Sequence, residues 1–251
     1  MNAANPTSAG FFGKLQSHGD FITRNLPSAF IAAWDPWLQE SLATSKEQLG
    51  DTWLETYLSS PIWHFALAGG LCGPAAYAGV LMPSVDRVGR YFPLTLAAPL
   101  AAGVTPVQAL ENDHTQWFQR AEQLALSTLA EGFDFSNFET QLQGLGTPLS
   151  GNAGQLDAMT VGVNSHGAIH VAMPPGGGLE GAYARLSNYA LGALYSTPSL
   201  WWTAGSERVV PSLMACRGLP PTPGFSAFLD GAWGRWGWRQ YPESPPTGTS
   251  A

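Results

Sequence analysis

The sequence predicts an α/β fold in which helices cover both faces of a mixed β-sheet. Short apolar runs typical of buried strands alternate along the chain with segments whose apolar residues recur at helical spacing. Turns rich in glycine and proline separate these runs. No segment between residues 20 and 240 is long or polar enough to be a linker. We therefore expect one domain over residues 1–241 and a flexible tail rich in Pro, Ser and Thr over 242–251.

Helix and strand signals alternate in the first half of the chain. Over residues 28–49, side chains such as Trp34 and Leu38 share one helical face, and Gly50 follows as a stop. Pro36 lies inside this pattern, so it allows either a kink or two helices. The other elements predicted here are a strand at 10–15, a short helix capped by Asp51 and ended by Pro61, and strands at 62–68, 76–82 and 91–97.

The second half starts with a helix-capping signal. Thr105 takes the cap position, Pro106 the first helical position, and Gln108 lies three residues after the cap. The apolar face from Leu110 onward predicts a helix that ends at Gly132. The other elements predicted here are a helix at 135–145, a hairpin of strands at 159–163 and 168–173, a helix at 182–195, strands at 200–203 and 209–215, and a short helix at 225–233.

Charge and cysteine content argue against several classes of function. Only 12% of the 251 residues are charged, and the net charge is -7. An acidic chain without a basic run is poorly suited to bind nucleic acid or to anchor to a membrane through basic residues. Cys72 and Cys216 are too few and too far apart for a disulfide framework or a zinc site. We expect both thiols to be reduced in the cytosol.

Two stretches, 56–85 and 91–110, lack any Asp, Glu, Lys or Arg and are long enough to be membrane-span candidates. Several prolines interrupt both stretches, and no cluster of Lys or Arg flanks them. Short buried strands joined by turns explain this pattern better than insertion into a membrane. The first residues also lack the basic and apolar regions of a secretory signal, so we expect a cytoplasmic protein.

No familiar catalytic motif is present, and we predict no enzyme activity, cofactor or metal. Residues 17–20, Ser-His-Gly-Asp, contain the residue types of a hydrolase triad, but a turn with a helix-capping Asp is the simpler interpretation. His166 and His170 lie on a predicted hairpin, where a turn histidine and a strand histidine explain them without a metal. A hydrolase that uses the regions around Ser17 or Ser84 stays as an alternative hypothesis.

The segment 79–94 is unusual because Asp86, Arg87 and Arg90 interrupt residues 56–110, which otherwise lack charged side chains. Two interpretations stay open. In the structural one, Asp86 neutralises an arginine that caps backbone carbonyls in a salt-bridged loop. In the functional one, the arginines form a surface that recognises an acidic or phosphorylated partner.

Long motifs in this chain resemble the TagF family, also called ImpM, of the bacterial type VI secretion apparatus. The motifs are GKLQSHGDFITRNLP (13–27) with Trp34-Asp35-Pro36-Trp37, IWHFALAGGLCGPAAYAGVLMPSVDRVGRYFPLTL (62–96), and SLWWTAGSERVVPSLMACRGLP (199–220) with FSAFLDGAW (225–233). The resemblance implies a three-layer α/β/α sandwich. It also implies a cytoplasmic, non-enzymatic repressor of type VI secretion that acts post-translationally by binding a forkhead-associated scaffold protein.

By position, the resemblance places candidate partner-binding residues in three short segments. They are Ser17, Gly19, Asp20 and Phe21; Asp86, Arg87, Gly89 and Arg90; and Ser206 with Glu207. Family motifs also hold folds together, and glycines permit tight turns, so both binding and structural roles stay open for these residues. A structural or assembly subunit of the secretion apparatus is the alternative function that we keep.

Overall fold

A seven-stranded antiparallel sheet forms the centre of the molecule. The computed structural model describes residues 8–112, 116–148, 160–163, 165, 168–173 and 178–239. The strands are β1 (Gly10–Gly13), β2 (Ile22–Arg24), β3 (Trp63–Leu67), β4 (Tyr77–Met82), β5 (Leu94–Pro99), β6 (Thr160–Val163), β7 (Ile169–Ala172), β8 (Pro198–Thr203) and β9 (Ser212–Arg217). Their order in the sheet is β2-β1-β5-β4-β3-β8-β9, while β6 and β7 form a separate hairpin.

Helices cover both faces of this sheet. One face packs against α1 (Ser28–Leu49), α2 (Trp53–Leu58) and α7 (Ser226–Asp230), and the other against α3 (Pro106–Asn112), α4 (Gln116–Ser127), α5 (Phe135–Leu145) and α6 (Leu179–Leu194). The predicted α/β class and its layers are therefore confirmed. The prediction of a mixed sheet is wrong, because every described strand pairing is antiparallel. Loops rather than helical crossovers join β3 to β4 and β4 to β5, and such connections produce antiparallel neighbours.

Aromatic side chains fill the layer between α1 and the sheet. Trp34 of α1 stacks on Trp201 of β8, with ring centroids 5.9 Å apart and both side chains fully buried. The Trp34 indole Nε1 donates to the Thr95 hydroxyl of β5 over 2.9 Å, which satisfies its buried N–H. On the opposite face, Phe11 of β1 packs edge-on against Phe138 of α5. Alternate residues of β1, β3, β4 and β5 therefore contribute to two separate cores.

Several predicted elements are confirmed in place. α1 spans the predicted residues as one helix that continues through Pro36. α5 also spans the predicted range, and β6 and β7 form the predicted hairpin. At the start of α3, the Thr105 N–H donates to Gln108 Oε1, and the Gln108 N–H donates to Thr105 Oγ1, as the capping signal predicts.

Other elements differ from the prediction. Asp51 lies in a 3-10 turn, Gly50–Thr52, and no side chain caps α2. The helix predicted up to Gly132 is two helices within the described residues, α3 and α4, and the second ends at Ser127. β5 begins at Leu94 instead of residue 91, because Tyr91 pairs with Val85 inside the preceding loop. The tail predicted over 242–251 and His166 lie outside the described residues. In the described part of the chain, no helix is both long and apolar enough to cross a bilayer.

Candidate functional site

Two loops that carry most of the predicted site residues meet at one end of the sheet. The β1–β2 loop, residues 14–21, follows β1, and the arginine loop, residues 83–93, connects β4 to β5. β5 pairs antiparallel with both β1 and β4, so the end of β1, the end of β4 and the start of β5 all lie at the same sheet end. This topology brings together two segments that are distant in sequence.

Asp86 is the centre of the contact between the loops. Its Oδ2 accepts from Lys14 Nζ over 2.5 Å and from Arg90 Nε over 2.7 Å. Its Oδ1 accepts from the N–H groups of Val88 and Arg90 over 3.0 and 2.8 Å. Burial alone would raise the pKa of this carboxyl, but the hydrogen bonds from Lys14 and Arg90 hold that pKa well below its usual range. Asp86 therefore stays charged and closes the arginine loop.

Further hydrogen bonds fix the arginine loop to the helix layer and to the β1–β2 loop. The Ser84 hydroxyl donates to the Lys14 carbonyl over 2.8 Å. The Tyr57 hydroxyl of α2 donates to the Ser84 carbonyl and accepts from the Ser84 N–H, each over 2.9 Å. Burial raises the pKa of Tyr57 far above its usual range, so its hydroxyl stays a donor. The Arg90 guanidinium donates to the Gly19 carbonyl.

Beside the exposed Arg90 and Asp20 side chains, the outer surface of these loops presents the Arg87 guanidinium and two apolar side chains. Within the described residues, the Arg87 guanidinium makes no hydrogen bond or ion pair, although its backbone N–H donates to the His18 carbonyl over 3.0 Å. Val88 is 64% exposed, and Phe21 is 48% exposed. The Phe21 ring packs edge-on against Phe92 with centroids 4.8 Å apart, which fixes its orientation. We call Phe21, Arg87 and Val88 the recognition surface.

The roles of the two loop arginines differ in the structure. Arg90 pairs with Asp86 and donates to a backbone carbonyl, which agrees with the structural interpretation. Arg87 instead leaves its charge available at the surface, which agrees with the functional interpretation. Gly89 has a φ of 83° at the turn, a conformation that glycine adopts without strain. The two interpretations of the sequence therefore apply to different residues of the same loop.

The residues at 17–20 do not form a catalytic relay. Ser17 Oγ lies 2.8 Å from His18 Nδ1, but the Asp20 side chain is 99% exposed and lies 3.7 Å from Arg90. No carboxylate of this segment orients the imidazole as a triad requires. The prediction that Asp20 caps a helix is also wrong, because the strand β2 follows it. The Ser84 hydroxyl, the other proposed nucleophile, is buried and engaged with the Lys14 carbonyl.

Ser206 and Glu207 do not join the Asp86 contact. They lie in the turn between β8 and β9, and β3 separates β8 from β4 in the sheet. Ser206 Oγ accepts from two backbone N–H groups of its own turn, each over 3.4 Å, and Glu207 is exposed. α2 links the two regions, since Glu55 pairs with Arg208 of this turn while Tyr57 holds the arginine loop.

Two residues that hold the site together, Lys14 and Tyr57, are not among the residues that the sequence predicts for it. Lys14 is one of only two lysines in the chain and follows the apolar strand β1, which is a weak signal of a buried cation. Such a cation needs a carboxylate, and Asp86 is the acidic residue within an uncharged region. No sequence pattern marks Tyr57 as part of the site, because its contact with Ser84 depends on how α2 packs over the sheet.

Comparison with known proteins now identifies the family. Residues 10–145 match the family described as the TagF N-terminal domain, type VI secretion system-associated. The chain belongs to the TagF family. The TagF resemblance of the motifs is therefore confirmed, and the matched TagF region contains both loops of the site but not Ser206 or Glu207. The match also shows that this TagF-family chain is associated with type VI secretion.

A solved structure supports the same assignment over nearly the whole chain. The crystal structure of PA0076 from Pseudomonas aeruginosa PAO1 is similar to this TagF-family chain, with 36% sequence identity and a TM-score of 0.75. The similarity covers 95% of this chain and 99% of that chain. No curated protein matches the chain. Among the described residues, no group of three or more His, Cys, Asp or Glu side chains is arranged to hold a metal ion.

Proposed function

We propose that this TagF-family protein is a cytoplasmic, non-enzymatic regulator that represses type VI secretion post-translationally. It acts by binding a forkhead-associated scaffold protein of the secretion apparatus through the recognition surface. The observation that carries the proposal is the free guanidinium of Arg87, which projects from a loop that Asp86 holds in place. Family membership supports the link to type VI secretion.

The geometry of the arginine loop suits protein recognition. Because Asp86, Lys14 and Tyr57 already fix the loop, little conformational entropy is lost when a partner binds. Arginine beside exposed apolar side chains is typical of the centre of protein interfaces. Phe21 of the β1–β2 loop and Val88 of the arginine loop supply that apolar surface. The partner surface that fits is acidic at its centre and apolar at its sides.

We propose a non-enzymatic function because neither candidate nucleophile, Ser17 nor Ser84, has the surroundings of an activated serine. Ser17 has a neighbouring imidazole but no carboxylate that orients it, and Ser84 is buried against a backbone carbonyl. Activation of a serine needs both a base and a group that orients the base. Neither serine has this arrangement in the described part of the chain.

Size-exclusion chromatography with light scattering tests the proposal directly. The purified chain is mixed with the forkhead-associated scaffold protein of its own secretion cluster, and a stable complex is expected. Arg87→Glu should weaken this complex at least tenfold, because it places a carboxylate against an acidic partner surface. Arg217→Glu is the matched control, since Arg217 is an exposed arginine at the end of β9, which lies at the sheet end opposite the arginine loop.

Two results would contradict the proposal. If the two folded proteins form no complex, the scaffold is not the direct partner. If wild type and Arg87→Glu bind the scaffold equally well, the recognition surface is not the binding site. If the chain were instead recovered in fixed stoichiometry with the purified secretion apparatus, the alternative of a structural subunit would replace repression.

A further inference from the structure

α6 carries apolar side chains on two sides, and one side is not covered by the described residues. Ala184 is buried in a cluster with Val107 of α3 and Leu200 of β8, and Leu191 packs against this cluster. On a separate face, about 100° away around the helix axis, Leu179 is 72%, Tyr183 71% and Leu194 63% exposed. A surface helix normally presents polar residues to water, so a helix that is apolar on both sides indicates a second contact.

Four exposed and two half-buried positions on this face follow a symmetric spacing. We define the α6 stripe as Leu179, Tyr183, Leu186, Ser187, Ala190 and Leu194. The spacings along the stripe are four and three residues before its centre, and three and four residues after it. At about 100° of rotation per residue, all six positions fall within roughly 50° of one line along the helix. The spacing of the stripe, though not its residue order, is therefore the same in both directions.

We propose that the α6 stripe packs antiparallel against the same stripe of a second copy of this chain. A two-fold axis between residues 186 and 187 would place Leu179 opposite Leu194 and Tyr183 opposite Ala190. A large side chain then meets a small one, and this complementarity allows two helices to approach closely. The interaction does not depend on the proposed regulatory function.

The charge of the stripe is compatible with a second copy as the occupant. Each chain carries a net charge of -7, so two copies repel one another at long range and can associate only where the contact adds no further like-charge pairs. The α6 stripe contains no Asp, Glu, Lys or Arg. Because both partners contribute the same neutral stripe, no charge is left buried without a partner.

The β6–β7 hairpin extends the apolar surface beside α6. Val163 pairs with Ile169 across the hairpin, on the same side of the strands as Val171, which packs against the α6 core. Val163 is 49% and Ile169 39% exposed. A stable interface buries about 800 Å² per partner, more than a single short helix provides, so these side chains enlarge the contact toward that size.

The proposed contact leaves the recognition surface accessible. α6 packs against α3 and the β6–β7 hairpin, and its buried side joins the cluster that contains Leu200 of β8. The recognition surface lies instead at the loops next to β1, β4 and β5. A dimer formed through α6 therefore presents two recognition surfaces at once. The oligomeric state and the binding of a scaffold can be measured separately.

Cysteine cross-linking tests the antiparallel arrangement. Leu179→Cys and Leu194→Cys variants are prepared separately, and the native Cys72 and Cys216 are buried and do not interfere. After mild oxidation, a mixture of the two variants should form disulfide-linked pairs, whereas each variant alone should not. Cross-links within the Leu194→Cys variant alone would overturn the antiparallel pairing, as would the absence of cross-links in the mixture.

Sedimentation equilibrium supplies an independent test. The wild-type chain should associate with rising concentration, and Tyr183→Ala or Ala190→Tyr should each raise the dimer Kd at least tenfold. The double variant, Tyr183→Ala with Ala190→Tyr, exchanges the large and small side chains across the two-fold axis and should restore association. Val210→Ala is the control, because Val210 is 68% exposed outside the stripe. A wild-type chain that stays monomeric at every concentration would overturn the proposal.

Discussion

Lys14 and Asp86 lie 72 residues apart in the sequence and form an ion pair with 2.5 Å between Nζ and Oδ2. Their side chains are 5% and 0% exposed. The pair joins the β1–β2 loop to the arginine loop at the sheet end where β1 and β4 end and β5 begins. The position of the recognition surface therefore depends on a buried contact beneath it.

Replacement of Lys14 by methionine should destabilise the protein by about 3–5 kcal/mol, because a buried carboxylate then loses one of its two cationic partners. Lys46→Met is the matched control. Lys46 is exposed and packs over the Trp53 ring, a contact worth about 0.5–1 kcal/mol. Urea unfolding of the three proteins measures the difference, and equal losses for both variants would contradict the structural role of the Lys14–Asp86 pair.

Stability should fall in acid as Asp86 becomes protonated. The pKa of Asp86 in the folded protein lies below its ordinary value of 3.8, so the folded state binds this proton less readily than the unfolded state. The stabilisation is therefore complete above about pH 4 and is lost as the pH falls below that value. The difference in unfolding free energy between wild type and Asp86→Asn should be largest near pH 7 and shrink below pH 4. A difference that does not change between pH 7 and pH 3 would contradict this.

Gly79→Ala should be strongly destabilising, by about 2 kcal/mol or more, because an added methyl group would overlap the β5 backbone. A Cβ at Gly79 would lie 2.3 Å from the Leu96 carbonyl oxygen and 2.4 Å from the Phe65 ring. Gly162→Ala is the control in another strand, where a Cβ meets no atom within 4 Å. Thermal unfolding should show a large fall in Tm for Gly79→Ala and little change for Gly162→Ala.

Asp134→Ala should cost about 1 kcal/mol, because Asp134 caps α5. Its Oδ1 accepts from the N–H groups of Ser136 and Asn137 over 2.8 and 3.1 Å. Asp20→Ala should change stability by less than about 0.5 kcal/mol, since the Asp20 side chain is exposed and precedes a strand. Denaturant midpoints compare the two variants, and an equal or larger loss for Asp20→Ala would contradict the assignment of β2.

Local signals in the sequence were enough to predict the long helices. α1 and α5 have a continuous apolar face and clear ends, so their bounds follow from residues near in sequence. β2 has three residues, two of them exposed, and gives no alternating pattern that a sequence can reveal. The start of β5 was misplaced because Tyr91 pairs with Val85 across the arginine loop, a contact set by tertiary structure.

The candidate site could be predicted only in part. The charged triplet and the segment around Ser17 pointed to the right two loops, and the structure places these loops side by side. The sequence could not assign different tasks to Arg87 and Arg90, because that distinction depends on which guanidinium reaches Asp86. Ser206 and Glu207 lie at the same sheet end but across β3, a separation that only the strand order reveals.

The buried position of Lys14 makes the lysines of this chain unequal toward amine-specific reagents. Lys14 is 4% exposed, and Lys46, the other lysine of the chain, is exposed. In the folded protein, acylation of lysine side chains should mark Lys46 and spare Lys14. Loss of the contact between the two loops would make the Lys14 amine reactive, so its labelling rate would report directly on opening of the arginine loop.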